Sequence, residues 1–206
     1  MKPLAIVHVV LFLLGNVLTY PTGISVGDKV HDIIDLIPKE RISELAQQHM
    51  QNDEGFKAAI FYLQGKEWND LLDALMQKPE FIKFEEITKQ MNLNITGMIM
   101  CIKSNIFSLQ VNEEPTSKPD LTPFIKEVEE SLPLAKMITT LTAKGSDEDA
   151  VQSIQVPFDY ELFQKILDDL LNVSEMKTML DKIKEMGFDL KQYIGFVHAF
   201  FEWVLN

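Results

Sequence analysis

Cysteine is the scarcest informative residue of this sequence, with Cys101 alone among 206 residues. One cysteine cannot form an internal disulfide, so the fold is expected to depend on packing rather than on covalent cross-links. Cys101 lies in an apolar run without a nearby histidine, which predicts a buried, inert thiol rather than a nucleophile.

Basic side chains are also few, at 19 Lys and Arg against 31 Asp and Glu, for a net charge of −12. The sequence contains no basic run, which argues against nucleic acid as a partner. The negative charge also disfavours simple electrostatic docking on anionic lipid. Self-repulsion that keeps the chain soluble is the simpler interpretation.

Long apolar runs are missing except at the N-terminus. Lys2 precedes an apolar stretch from Leu4 to Leu14, and small residues suited to cleavage follow, with Pro21 after them. Residues 1–20 are therefore predicted to be a cleaved secretory signal peptide, and no transmembrane helix is expected later in the chain. The alternative, a membrane anchor, is disfavoured by the short run.

A secreted chain can be N-glycosylated, and the sequence offers two acceptor motifs. These are Asn94-Ile95-Thr96 and Asn172-Val173-Ser174. Asn94 also has the position of a helix N-cap. Because capping competes for the same side chain, the sequence leaves the occupancy of Asn94 open.

Strand-like alternation is absent, and apolar residues recur at helical spacing throughout, which predicts an all-α fold. Two segments share a helix stop followed by a helix start, Met91–Ile95 and Met186–Leu190, and they lie 186 − 91 = 95 residues apart. Gly187 and Asn92 are the expected left-handed stops, and Asp189 and Asn94 the expected caps.

The same offset relates Pro38 to Pro133, Trp68 to Phe163 and Glu80 to Glu175. We therefore predict two tandem six-helix repeats, residues 24–110 and 120–206, joined by a polar, proline-containing linker at residues 111–119. Each repeat ends in a strongly apolar helix. Such helices must be covered, so the two repeats are expected to pack into one closed unit that is hollow or solid.

Signals for catalysis are missing. The histidines after the signal peptide lie far apart, no glycine-rich phosphate loop occurs, and carboxylate pairs such as Asp168-Asp169 are expected on solvated helix faces. No metal, cofactor or enzymatic activity is predicted. Methionines at inward positions, which suit an adaptable apolar wall, favour binding instead. The methionines expected to point inward are Met91, Met98, Met100, Met176, Met179 and Met186.

Several short segments, in this order, resemble the insect allergen-related repeat, a family that includes the cockroach group-one allergen, microvillar midgut allergen-like proteins and nitrile-specifier proteins. The segments are Asp35–Pro38, Phe61–Leu63, Glu67–Leu71, Pro79–Phe81, Phe124–Pro133 and Met186–Leu190. The chain departs from the family's usual Gly-Val-Asp type of signal at Asn92–Asn94, a local difference at the boundary before one helix.

The resemblance implies a secreted protein of the gut lumen or microvillar surface, in which a hollow helical capsule holds fatty acids or phospholipid. It also leaves open a nitrile-specifier type of detoxification and a membrane-perturbing exchange of lipid. Periodicity cannot distinguish a cavity wall from a packed core. If a cavity exists, we expect it to be lined from the most apolar helix of each repeat, by Met98, Ile102, Ile106, Tyr193, Val197 and Phe200.

Overall fold

The computed structural model describes residues 32, 34–90, 93–142 and 160–191. Within these ranges the chain forms α-helices and no β-strand, so the prediction of an all-α fold is confirmed. The helices are α1 Lys39–Asn52, α2 Glu54–Gln64, α3 Lys66–Met76, α4 Pro79–Gln90, α5 Ile95–Ser108, α6 Thr122–Ser131, α7 Leu134–Thr142, α8 Tyr160–Leu171 and α9 Ser174–Glu185.

The boundary signals of the sequence act as predicted where the structure describes them. The Asn94 side chain accepts a hydrogen bond of 2.8 Å from the Gly97 N–H at the start of α5. Gly187 follows α9 with φ +90°, a left-handed conformation that glycine adopts without a Cβ penalty. The matching stop, Asn92, lies outside the described residues.

Asp189 was expected to cap the last helix, most of which lies outside the described residues. Its role as a cap stays a prediction, and the described part of the structure shows an ion pair of 2.6 Å between its carboxylate and Lys184. The hydrogen bond from Lys184 to the Asp189 carboxylate, together with their charge attraction, raises the pKa of Lys184. This ion pair links the end of α9 to the residues that follow the Gly187 turn.

Helices from the two halves of the sequence pack across one another. Helix α3 contacts α9, and α4 contacts α8. Under the 95-residue offset, α8 is the counterpart of α3 and α9 is the counterpart of α4. The contact between α3 and α9 therefore corresponds to the contact between α8 and α4. The division into two six-helix repeats and their closure into a capsule stay predictions.

Two clusters of buried residues form most of the described core. One joins α1 and α6 with the turn after α9, and the other joins α3, α4, α8 and α9. The first contains Ile37, Ile42, Leu45, Ile125, Val128, Leu132, Met137 and Phe188, and the second contains Trp68, Leu72, Leu75, Phe81, Leu170 and Met179.

The end of the linker is tied to both halves through the backbone. The Asp120 N–H donates to the Gly55 carbonyl at 3.0 Å, and the Leu121 N–H donates to the Met186 carbonyl at 2.7 Å. These bonds bring the start of α6 against the turn at Gly187. This arrangement fixes where the second half begins relative to α2 and α9.

Candidate ligand-binding site

Helix α5 carries half of the predicted cavity residues and is held at both ends. Asn94 caps its first turn, as described above. At its other end, Nε2 of Gln64 in α2 donates to the carbonyls of Ile106 and Leu109 at 2.7 and 2.6 Å. The Ile106 carbonyl also accepts the Leu109 N–H at 3.2 Å, so the Gln64 amide adds a second donor there and a donor to Leu109 just beyond the helix. The position of α5 along its axis is therefore set by specific polar contacts.

Met98, Ile102 and Ile106 follow one another at intervals of four and form one line along α5. Met98 is 1% exposed, whereas Ile102 and Ile106 are only partly buried. Ile95 and Ile99 adjoin this line and pack against the core cluster of α3, α4, α8 and α9. The face that contains the three predicted residues thus points into the protein and becomes more accessible toward the C-terminal end of the helix.

Two exposed apolar side chains lie on the opposite face of α5, two turns apart, with Lys103 and Ser104 between them. Met100 and Phe107 lie about half a turn around the helix from Met98, and they are 44% and 49% exposed. The prediction that Met100 points inward was therefore wrong, since its position falls about 200° from Met98 at 100° per residue. Cys101 is a free thiol and is only partly buried, so the prediction that it is buried was wrong.

Tyr193, Val197 and Phe200, the other predicted cavity residues, lie outside the described residues, as does Met91. Of the remaining methionines, Met179 and Met186 are buried and Met176 is partly buried against the second core cluster. Of the six cavity candidates, the described residues include Met98, Ile102 and Ile106, which share one face of α5. The presence of a cavity beside them stays a prediction.

Sequence analysis missed one polar cluster, which is centred on His49 in α1. The residue is 8% exposed. Its Nδ1 lies 2.9 Å from Oδ2 of Asp53, and its Nε2 lies 3.5 Å from Oε1 of Glu127. The rings of Phe56 and Phe124 flank it, with centroids 5.4 and 5.6 Å away. The spacing of four between His49 and Asp53 could have suggested their contact, but nothing local predicts Glu127 or Phe124.

The chemistry of this cluster is structural. Oδ1 of Asp53 accepts from the Phe56 N–H at 3.0 Å and caps α2, while Oδ2 holds the imidazole. Burial alone would raise the pKa of Asp53, but the hydrogen bonds from Phe56 and His49 lower it below its ordinary value. The hydrogen-bond and ion-pair partners found for His49 in the described residues are the carboxylates of Asp53 and Glu127, and these contacts join α1 to the start of α2 and to α6.

A polar cleft of about 570 Å³ lies beside α1 and α6. Acidic and basic side chains share its wall, which does not suit an acyl chain, and the α5 candidates are not part of it. Its lining residues are Arg41, Pro123, Lys126, Glu127, Glu130 and Ser131. In the described ranges, no group of three His, Cys, Asp or Glu side chains could hold a metal ion.

None of the described helices is long and apolar enough to cross a membrane. The two acceptor asparagines are both exposed, with Asn94 before α5 and Asn172 after α8. The structure therefore places both glycosylation candidates at helix boundaries.

The described residues thus define an all-helical protein in which α3 packs on α9 and α4 on α8, and in which the apolar α5 contacts α2 and α4. The family described as insect allergen related repeat, nitrile-specifier detoxification, matches residues 25–194, and the chain belongs to this family. The chain is also similar to Protein G12 of Anopheles gambiae, with 19% identity over 216 residues that cover 98% of this chain and 100% of the relative. The resemblance inferred from short segments is thereby confirmed.

Proposed function

We propose that this protein is secreted into the insect midgut and binds fatty acids or phospholipids in an internal apolar cavity. The line of Met98, Ile102 and Ile106 carries the proposal, because it faces the protein interior yet loses burial along its length. We expect the C-terminal residues Tyr193, Val197 and Phe200 to complete the wall. Family membership supports a small helical protein of this kind.

Burial of a hydrocarbon chain can supply the affinity without a polar anchor. Each buried methylene contributes roughly 0.8 kcal/mol, so about 15 methylenes would contribute roughly 12 kcal/mol before the costs of immobilisation. The net charge of −12 does not favour attraction of an anionic headgroup. Recognition through the tail therefore fits this chain better than recognition through the headgroup.

Organic extraction of the secreted protein, followed by mass spectrometry, tests the proposal. We expect stoichiometric acyl lipid, and delipidated protein should take up a fluorescent fatty acid. Folded protein that contains no lipid and takes none up would exclude the proposed function.

Two substitutions on α5 form a matched pair for this assay. Ile102→Ser changes the inward face and should lower the amount of bound lipid, whereas Phe107→Ser removes a larger side chain from the opposite, exposed face and should leave it unchanged. Circular dichroism shows whether both variants keep their helical content. Equal lipid loss in the two variants would contradict the assignment of the inward face.

A second candidate function is a change in the products of plant defence-compound hydrolysis, which the description of the family favours. The protein would then act on the reaction of another enzyme rather than bind a stored lipid. Incubation with a glucosinolate and myrosinase, with and without the protein, tests this function. Nitrile in place of isothiocyanate would support it, and an unchanged product ratio would exclude it.

A third candidate function is lipid exchange with membranes, for which the exposed Met100 and Phe107 provide an apolar contact surface. Dye release from vesicles, measured with empty and lipid-loaded protein, tests this candidate. Release by both wild type and a Met100→Ser, Phe107→Ser double variant would show that this face is not required.

A further inference from the structure

The motif at Asn94 is an N-glycosylation acceptor whose asparagine also caps α5. Capping uses one atom of the side chain, because Oδ1 accepts the Gly97 N–H at 2.8 Å. In the part of the chain that the structure describes, Nδ2 of Asn94 makes no hydrogen bond, and the residue is exposed. The two uses of the side chain therefore involve different atoms and do not compete.

We propose that Asn94 carries an N-linked glycan and still caps α5. The transferase joins Nδ2 to the anomeric carbon of a lipid-pyrophosphate-linked oligosaccharide. Nδ2 loses one proton, and the lipid pyrophosphate leaves. The product is a secondary amide that keeps Oδ1 as an acceptor, so the bond from the Gly97 N–H survives the modification.

The surroundings of Asn94 suit this modification. Gly97 leaves the space beside the amide open, since a Cβ at that position would lie 2.6 Å from Nδ2. The hydroxyl of Thr96, the third residue of the motif, hydrogen-bonds the Glu85 carboxylate in the folded protein, which chiefly accounts for the lowered pKa of Glu85. The transferase would recognise the Thr96 hydroxyl in the unfolded chain, and the same hydroxyl would hydrogen-bond Glu85 after folding.

The second motif differs in the atom that its asparagine uses. Nδ2 of Asn172 donates to the Asp168 carbonyl at 3.0 Å, so the nitrogen that would receive the sugar already makes a hydrogen bond within the protein. Asn94 is thus the acceptor whose modification leaves every described hydrogen bond of its side chain intact.

The glycosylation proposal rests on secretion, which is part of the proposed function. The experiment therefore tests glycosylation of Asn94 separately from secretion directed by residues 1–20. The full chain is translated with microsomes, once with residues 1–20 and once with a foreign cleavable leader in their place. Protease protection reports entry into the lumen. Enzymatic deglycosylation in heavy-oxygen water marks a former glycan-bearing asparagine as labelled aspartate.

We expect labelled residue 94 in the protected wild-type chain. Thr96→Ser, which keeps the motif, should also be labelled, and Asn94→Asp, which keeps a capping oxygen, should not. Protected chain without the label at residue 94 under the foreign leader overturns the proposal. If the label appears only under the foreign leader, the glycan assignment stands and secretion through residues 1–20 fails.

Capping provides an independent measurement on the purified glycoprotein. Glycosylated wild type and Asn94→Asp should have the same melting temperature, whereas Asn94→Ala should melt lower because it removes the acceptor of the Gly97 N–H. A glycosylated protein that melts as low as Asn94→Ala would show that the sugar displaces the cap, contrary to the proposal.

Discussion

Replacement of Gly187 by alanine should destabilise the protein through two separable effects. The first is conformational, because φ at this position is +90°, a region that residues with a Cβ adopt at a cost of about 1–2 kcal/mol. The second is steric. A Cβ at this position would overlap Oγ1 of Thr122 and lie 3.2 Å from Oδ1 of Asp120 and 3.3 Å from Cβ of Thr122.

The steric effect matters because the crowded groups cannot move independently. Thr122 begins α6, and the preceding residue donates its N–H to the Met186 carbonyl at 2.7 Å. Relief of the overlap would separate the start of α6 from the turn and weaken that bond, at a cost of about 1 kcal/mol. The two effects together predict a loss of about 2–3 kcal/mol, equivalent to a fall of roughly 4–12 °C in melting temperature for a chain of this length.

Urea denaturation followed by circular dichroism measures the change in unfolding free energy. In a Thr122→Ala background the Oγ1 overlap is absent and only the contacts at 3.2 and 3.3 Å remain, so the same glycine substitution should cost less, close to the conformational part of about 1–2 kcal/mol. A change below about 0.5 kcal/mol in the wild-type background would refute the reasoning. Equal costs in the two backgrounds would show that the contact with Thr122 is unimportant.

Three further predictions concern helix caps and charges. Asp53→Ala should lower the unfolding free energy by about 1 kcal/mol in urea denaturation through loss of the α2 cap, and Asp53→Asn by less; equal losses would contradict this. The Lys78 hydrogen bond lowers the pKa of Glu175 from 4.5 to about 2, so the stability that Glu175 contributes above pH 4.5 is lost as the pH falls toward 2. Glu175→Gln should flatten this part of the curve of melting temperature against pH, and an unchanged curve would contradict the ion pair. Gly97→Ala should leave stability nearly unchanged, because a helix-propensity gain of about 1 kcal/mol offsets the displaced Asn94 cap, and it should stabilise the Asn94→Ala variant in a double-mutant cycle.

Local features of the fold could be predicted from the sequence because local chemistry determines them. Asn94 and Gly187 act where the residue type and its place beside an apolar run suggested. The helical spacing of apolar residues likewise predicted the all-α class. Each of these inferences depends on residues within about one turn of each other.

Features that depend on contacts between residues far apart in the chain could not be predicted from the sequence. The outward position of Met100 follows from where α2 and α4 contact α5, and the apolar character of the residue alone suggested burial. The cluster at His49 shows the same limit. Its Asp53 contact lies within one helix turn, whereas Glu127 reaches it only because α1 packs on α6.

The two apolar faces of α5 connect the fold with the proposed function. A surface helix of a solid globular protein needs one apolar face, and its opposite face is ordinarily polar. In α5, the face of Met98 meets the core while Met100 and Phe107 remain largely exposed on the other side. Met100 and Phe107 are two separate exposed side chains, with Lys103 and Ser104 between them. The proposed internal cavity uses the face of Met98, and the lipid-exchange candidate uses the face of Met100 and Phe107. The paired substitutions Ile102→Ser and Phe107→Ser therefore ask which of the two faces meets the lipid.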